Sequence, residues 1–291
     1  TAFYRDSYMG VATPFGAIEF GRTGALTAGT HGGIVGGMSP FGITWKEGAL
    51  TKIFAGNIAA RLNNMVKYES PDLSGFKLYA QYSNGVDDDD VVSSQKNRYI
   101  AVGATYRYKN LRLIAAFDNL FYNDSAVKTD AGVAAGKDLK DQRTYNIGGT
   151  YDFGDVRMYL GYQYGQNIKT PRQGDAKAIA AAKYDSKDSK AAEGYDTNAV
   201  TLGTKIKLFG GELNGTLGYA HAKRDFNDSK ADVYQAMVGY KYPISKRTYA
   251  YGALGYIHGK SENTKLSKKV WKRTVERVNT RSMFMGLCHE F

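Results

Sequence analysis

Apolar and polar residues alternate with a period of two in segments of about ten residues, and turn residues separate the segments. The segment 76–83 puts Phe76, Leu78, Ala80 and Tyr82 on one face of an extended chain, and Lys77, Tyr79, Gln81 and Ser83 on the other. Because successive side chains of a strand point to opposite faces, this pattern predicts a β-strand with one apolar and one polar face.

The same alternation recurs in many segments, among them 100–108, 156–164 and 200–208. The segment 61–69 puts Arg61, Asn63, Met65, Lys67 and Glu69 on one face, and Leu62, Asn64, Val66 and Tyr68 on the face expected to meet lipid. A soluble β-sandwich packs its hidden face into a core and cannot accept repeated Lys, Arg and Gln opposite a continuous apolar face over so many strands. We therefore predict an all-β fold, an antiparallel transmembrane β-barrel with a wet interior and with Tyr girdles at the membrane interfaces.

Turn signals divide the chain into about thirteen predicted strands. They lie near residues 2–12, 17–23, 60–70, 74–84, 97–108, 110–120, 142–152, 155–164, 196–208, 212–222, 231–243, 247–258 and 277–291. Short connections alternate strictly with long ones, which are predicted at 24–59, 85–96, 121–141, 165–195, 223–230 and 259–276. Outer-membrane barrels are built this way, with tight periplasmic turns, longer external loops and even strand numbers. We therefore expect a sixteen-stranded parent with three more strands, about fifty residues, before Thr1.

Composition agrees with a barrel and excludes a helical membrane protein. The chain has 23 Tyr, 13 Phe and 34 Gly, its mean hydropathy is -0.44, and it has no apolar run long enough to span a bilayer as a helix. The net charge of +11 raises nucleic acid as a partner, but the basic residues are spread out and no nucleic-acid motif accompanies them. The concentration from Lys260 to Arg273 is interpreted as a solvated loop. Cys288 is the single cysteine, so no intrachain disulfide can form.

Three segments carry recognisable motifs. Residues 61–76 read RLNNMVKYESPDLSGF, residues 4–22 read YRDSYMGVATPFGAIEFGR, and the chain ends in GLCHEF. They resemble three segments of the general porins of proteobacteria, namely R-x-x-N-S-V-R-Y-x-S-P-x-F-x-G-F, R-Q-x-Y-V-G-L-x-x-x-F-G-x-x-x-x-G-R and a terminal G-x-R-H-x-F. The main departure is Cys288, which stands where a basic residue is usual.

The resemblance covers nearly the whole chain and implies a single porin β-barrel domain over residues 1–291. It further implies a passive channel for small hydrophilic solutes in the outer membrane, surrounded by lipid and lipopolysaccharide. The full-length form is expected to be a homotrimer and to need no cofactor. In this family the terminal aromatic residue, here Phe291, is read by the machinery that inserts barrels into the membrane.

The long connection 24–59 is the expected pore-constricting loop, because in porins the corresponding loop folds into the barrel. It is rich in glycine, and Glu47 is its only carboxylate. Arg22 and Arg61 match the family's basic wall opposite that loop. Further basic residues are expected to face inward at Lys67, Lys77, Arg107, Arg112, Arg157, Lys205 and Lys207, against the inward acids Glu69, Asp118 and Glu212. Since a charged ring sets the sign of the permeant ion, a modest anion preference is predicted.

Three other functions are compatible with parts of the pattern. A membrane-barrel hydrolase would need a nucleophile beside a base, but none of His31, His221, His258 and His289 has a recognisable neighbouring motif. A substrate-specific channel would differ by saturable flux, and a soluble β-rich binding protein by its independence of detergent. The acidic run 87–90 offers a cation site in an external loop, although it lacks EF-hand spacing and is interpreted as solvated; no metal is predicted.

Overall fold

A computed structural model describes residues 5–28, 31–56, 61–86, 97–122, 140–168, 194–224, 228–267 and 270–290, without the side chains of 263–272. Thirteen antiparallel strands form one sheet in sequence order. They are β1 (Ser7–Thr13), β2 (Gly16–Gly24), β3 (Arg61–Glu69), β4 (Phe76–Ser83), β5 (Arg98–Tyr108), β6 (Leu111–Phe121), β7 (Gln142–Asp152), β8 (Val156–Ile168), β9 (Tyr195–Leu208), β10 (Gly211–Arg224), β11 (Ser229–Pro243), β12 (Thr248–Ser267) and β13 (Val270–His289). The predicted strand count and fold class are thereby confirmed.

The order runs from β1 to β13 without pairing these two strands to each other in the described part of the chain. The thirteen strands are therefore an open wall of a barrel. No helix among the described residues is long and apolar enough to cross a membrane. The acidic run 87–90 and Phe291 lie outside the described residues.

The two faces of the wall differ as the alternation predicts. Side chains such as Leu78, Val102 and Leu160 are exposed on one face, which we call the outer face. Their strand neighbours on the other face, such as Gln81 and Gln163, are buried. The inner face is buried because the connection between β2 and β3 packs against it.

Two predicted long connections are wrong. β10 and β11 are joined by only four residues, 225–228, and β12 and β13 stay paired up to Ser267 and Val270. The segment 259–276 is thus mostly hairpin and not a loop. Glu262 of β12 forms an ion pair across the hairpin with Arg273 of β13 and lies 2.7 Å from Lys260 of its own strand, and cross-strand pairs of opposite charge stabilise strands that leave the apolar band.

One face assignment in β3 is also wrong. Leu62, expected to meet lipid, is 6% exposed and packs in the core around the β2–β3 connection. A bulge causes this: Gly21 pairs with Met65 but Thr23 pairs with Leu62, and Asn64 has a left-handed φ of 53°. The extra residue shifts the alternation by one position, so the part of β3 before the bulge is inverted.

Candidate functional site

The connection between β2 and β3 crosses the inner face of the sheet, and we call it the inner loop (residues 25–56 as described). It contains three short 3₁₀ turns, at Val35–Met38, Lys46–Gly48 and Leu50–Lys52. The first turn packs on β6, β7 and β8, and the second on β10, β11 and β12. The loop therefore reaches from one side of the wall to the other, which narrows the space that the wall encloses.

A buried carboxylate holds the beginning of the inner loop. Asp118 of β6 accepts hydrogen bonds from the hydroxyls of Thr27 at 2.7 Å, Tyr99 at 3.2 Å and Thr144 at 2.5 Å. Tyr99 in turn accepts a bond from the backbone N–H of Leu26 at 3.3 Å. Three strands are thus connected to the loop through one fully buried side chain.

Two buried glutamines hold the rest of the loop. Gln163 of β8 accepts a bond from the N–H of Ala55 at 2.6 Å. Gln235 of β11 donates to the carbonyl oxygens of Glu47 and Ala49. Because a glutamine amide both donates and accepts, it satisfies backbone groups that have no strand partner.

Beside the inner loop, near the rim that bears the short turns, lies a cavity of about 580 Å³ that we call the basic cavity. The loop contributes Gly37, Ser39, Pro40 and Gly42 to its lining. The wall contributes five cationic residues, Arg107, Lys109, Arg112, Arg157 and Lys205, and a single carboxylate, Asp152. The cavity is therefore strongly positive at the place where the loop approaches the wall.

Arg107 and Arg112 are the least compensated of these cations. They lie directly opposite each other on β5 and β6, an arrangement of like charges that destabilises a sheet. Among the described residues neither has a carboxylate within ion-pair distance, and the buried Nε of Arg112 has no hydrogen-bond partner. A Cβ on Gly37 would lie 3.0 Å from Nη1 of Arg112, so the arginine touches the loop itself.

Two other cations of the basic cavity are partly neutralised. Nε of Arg157 donates to Asp152 at 3.0 Å, and Nζ of Lys205 lies 3.1 Å from Glu212. These pairs are half-exposed, so each contributes little to stability and leaves part of its field in the cavity.

The remaining predicted site residues lie elsewhere. Arg22 donates to Asn63, and Arg61 donates to Asp6 at 3.0 Å; neither lines the basic cavity. Lys67 and Lys77 belong to a balanced network on β2, β3 and β4. Its contacts are Lys67 to Glu19 at 3.2 Å, Lys67 to Glu69 at 3.8 Å and Lys77 to Glu69 at 2.8 Å.

Glu47 does not line the basic cavity. Its side chain is 7% exposed and packs against β12, where a Cβ on Gly255 would lie 2.7 Å from the Cβ of Glu47. The only carboxylate of the inner loop is therefore held away from the arginines, which leaves Asp152 as the acid of that cavity.

A second cavity of about 530 Å³ adjoins the first and shares Lys205 and Pro40 with it. Its walls include Phe41, Trp45 and Tyr251. Trp45 stacks on Phe41 with the ring centroids 5.4 Å apart and meets the ring of Tyr251 edge-on at 6.0 Å. We call it the aromatic cavity.

The sequence analysis did not identify Glu19 and Asp152 as acids of the inner face. It also did not identify Gln163 and Gln235 as the residues that hold the inner loop. Glu19 and Asp152 have inward parity in their strands and could have been found by extending the alternation. The glutamines also sit at inward positions in the middle of strands. A loop that covers such an amide excludes water from it, so the amide must bond to the loop instead. No group of three or more metal-ligating side chains stands together in the described segments.

The four histidines are accounted for by local contacts. His31 stacks on Tyr8 with centroids 4.2 Å apart and lies 2.9 Å from Glu19. His221 lies 2.9 Å from Asp232, which also accepts a bond from Tyr219. His258 bonds Asn279 and His289 bonds Thr248. None of these contacts joins a histidine to a serine or cysteine nucleophile.

A family model described as Gram-negative porin matches residues 1–262. An outer membrane porin protein of Bordetella pertussis is 26% identical over 268 residues, which cover 86% of this chain and 66% of that protein. Outer membrane porin protein 32 of Delftia acidovorans is 27% identical over 205 residues, covering 70% of this chain and 48% of its own length. The chain thus spans just under two thirds and about half, respectively, of these two relatives.

Solved structures show the same fold. An anion-selective porin from Comamonas acidovorans superposes with a TM-score of 0.62 at 21% identity, over 99% of this chain and 78% of the other. The outer-membrane protein OmpT of Vibrio cholerae gives a TM-score of 0.62 at 15% identity, over 98% and 80%. The chain therefore belongs to the Gram-negative porin family, whose members are outer-membrane channels and not enzymes.

Proposed function

We propose that the protein carrying this chain forms a water-filled channel through which small hydrophilic solutes diffuse passively, with a preference for anions. The opposed pair Arg107 and Arg112 is the observation that carries the proposal, because these cations stand at the inner loop without a carboxylate partner in the described part of the chain. An anion passing the loop meets this charge, whereas a cation is repelled by it. The anion-selective porin from Comamonas acidovorans supports the same direction.

The test is the reversal potential of the channel in a gradient of potassium chloride. The intact protein is expected to favour chloride, and the double variant R107Q/R112Q is expected to lose most of that preference. Because one unit charge 4 Å from an ion changes its energy by about 1 kcal/mol in water, the permeability ratio should fall about five-fold or more.

The matched control is K246Q/R247Q, which removes the same charge from the exposed turn between β11 and β12. It should leave the chloride preference nearly unchanged. A clear potassium preference of the intact protein, or an equal loss of selectivity in the control, would contradict the assignment to Arg107 and Arg112.

A substrate-specific channel is the second candidate, favoured by the aromatic cavity. Phe41, Trp45 and Tyr251 lie close to Lys205 and Lys241 there, so an aromatic ring bearing a carboxylate would find both stacking surfaces and a positive charge. Benzoate flux that saturates, and that becomes linear in W45A, would support this candidate. Linear benzoate flux in the intact protein supports general diffusion instead.

We further propose that the full-length protein assembles as a homotrimer, as its resemblance to the porins implies. The outer face of β1 supports an apolar contact, since Met9 and Val11 are 76% and 65% exposed there. Native electrophoresis of the detergent-solubilised protein should give about three times the subunit mass, and a monomer band would contradict it.

A further inference from the structure

Glu47, the only carboxylate of the inner loop, lies in a place that is unfavourable for its charge. The residue is 7% exposed, and its Oε2 atom is buried without a hydrogen-bond partner among the described residues. Water hydrates a carboxylate much better than such a place does, and the adjacent Lys46 is exposed. The contacts of the turn Lys46–Gly48 must therefore hold the side chain of Glu47 in its position.

Backbone contacts with β11 hold this turn on the wall. The amide of Gln235 donates to the carbonyl oxygen of Glu47, and Sδ of Met237 accepts the N–H of Gly48 at 2.9 Å. Gly255 of β12 lies directly opposite Met237 in the sheet. The turn is thus fixed at Glu47 and at the next residue, while the side chain of Glu47 is directed at Gly255.

Gly255 provides the space for that side chain. A Cβ on Gly255 would lie 2.7 Å from Cβ of Glu47 and 3.1 Å from both its Cγ and its Oε2. An added methyl group in such a close contact forces side chains or the backbone to shift. Because Cβ of Glu47 is attached directly to the backbone, the turn itself would have to move.

The backbone before Glu47 contributes to the same orientation. Lys46 has a φ of 53°, a left-handed conformation that residues other than glycine seldom adopt. Such a conformation persists where the surrounding structure fixes it. It lies between Trp45, whose ring lines the aromatic cavity, and Glu47, which faces β12. The loop thereby presents an aromatic ring to the cavity and keeps the neighbouring carboxylate against the wall.

A carboxylate displaced from this position would move toward water, because a buried charge without partners loses its hydration. The nearest parts of the loop, Phe41 and Trp45, line the aromatic cavity together with Lys205, which also lines the basic cavity. A negative charge beside these cavities would oppose the field of the cations that attract anions. The position of one acid therefore affects the ion preference, as the number of cations does.

We propose that Gly255 is a specificity-determining residue of the channel. By accepting the side chain of Glu47 against β12, it keeps a negative charge out of the lumen and so shifts the selectivity toward anions. Gly255 acts through Glu47 and touches no solute, so it is a positioning residue. This role rests on the proposed channel function.

The experiment compares reversal potentials in a gradient of potassium chloride for the intact protein, G255A, E47Q and G255A/E47Q. In G255A the ratio of chloride to potassium permeability should fall about two-fold or more, because one negative charge enters the lumen. E47Q alone should change the ratio little, since the carboxylate of the intact protein is held against the wall. G255A/E47Q should regain the ratio of the intact protein, because the displaced group is then neutral.

The matched control is G259A, on the same strand and the same face. A Cβ on Gly259 would meet no described atom within 4 Å, so G259A should conduct as the intact protein does. The heat-dependent shift in gel mobility verifies that each variant is a folded barrel. If G255A does not fold, M237A replaces it, because it removes the sulfur that accepts the N–H of Gly48; the same fall and the same recovery with E47Q are expected.

An unchanged ratio in folded G255A, or an equal fall in G259A, overturns the proposal. A fall in G255A that E47Q does not reverse overturns it too, because the substitution then only deforms the loop. So does an effect of E47Q that is as large in the intact protein as in G255A. A missing chloride preference of the intact protein contradicts the proposed function instead, since the difference between G255A and G255A/E47Q measures the charge of Glu47 whatever the basal preference.

Discussion

Charged residues of the inner face fall into two groups that differ in what surrounds them. Lys205 and Arg157 have carboxylates as neighbours on adjacent strands, whereas Arg107 and Arg112 face each other. A neutralised pair contributes little field at the distance of a passing ion, but two uncompensated guanidinium groups contribute most of it. The expected selectivity therefore depends on two residues and not on the total charge of the interior.

Asp118 has a different importance, because it connects the wall to the inner loop. The variant D118A removes the acceptor of Thr27, Tyr99 and Thr144 and leaves these hydroxyls buried without that partner. Each unsatisfied group costs about 1–3 kcal/mol. We expect a lower temperature of barrel unfolding, measured by gel mobility, and a larger and noisier single-channel conductance as the loop detaches.

T27V is the matched comparison, since it removes one of the three donors and leaves the carboxylate in place. It should shift the unfolding temperature by a smaller amount than D118A does. If D118A conducts and unfolds like the intact protein, Asp118 does not anchor the loop.

At the scale of elements, the inner loop depends on strands distant in the chain. Gln163 holds its end to β8, and Gln235 holds its middle to β11. A loop fixed at such separated points keeps one path across the interior, whereas a loop attached only at its ends has many conformations. The inner loop is for this reason held along a single path over the inner face.

The hairpin of β12 and β13 is the element that differs most from expectation, and hydrogen exchange can test it. Its ladder continues to the pair Ser267 and Val270. Amides of 259–267 and 270–276 that belong to this ladder should exchange about a hundred-fold or more slowly than in an unstructured chain. Mass spectrometry of peptides from the detergent-solubilised protein measures this directly.

The exposed turn 244–247 joins β11 to the other end of β12 and is the internal reference. Its amides should exchange fast. Exchange of 259–276 as fast as that turn would mean that this segment is a loop after all.

At the scale of the whole molecule, two clusters of cations in the described segments account for part of the net charge of +11. One cluster lines the basic cavity, and the other, which includes Lys260, Arg277 and Arg281, lies on the outer face at the opposite rim. The first faces solutes in water and the second faces the surroundings of the barrel. These two clusters explain positive charge on the chain without a nucleic-acid partner.

The anion preference should depend on ionic strength, because the basic cavity is open to water. The screening length is about 10 Å at 0.1 M salt and about 3 Å at 1 M, so in concentrated salt the arginines act only on ions that touch them. Reversal potentials at the same concentration ratio should shift toward zero as the mean salt concentration rises. A preference that stays constant from 0.1 M to 1 M would indicate selection by contact and favour the aromatic cavity as a binding site.

Much of the fold follows from the amino-acid order because the period of two is a local property. Each residue's parity in its strand assigned it to the inner or outer face, and this was right for segments such as 76–83 and 156–164. The face assignment failed at the bulge in β3, where one extra residue shifts the alternation and buries Leu62. The strand ends failed at another place, because charged residues suggested a loop where the pairing of β12 and β13 continues beyond Lys260.

The path of the inner loop could not be obtained in this way. The inner loop has no periodicity, so its path depends on contacts with strands more than a hundred residues away, such as Ala55 with Gln163 and Ala49 with Gln235. That path brings Gly37 to Arg112 and turns Glu47 toward Gly255. Strand parity predicted many of the inward cations, although it was not applied to Lys241 of the aromatic cavity. The packing of the loop brought Arg107, Arg112, Arg157 and Lys205 together in the basic cavity, because only long-range contacts determine which side chains share a cavity.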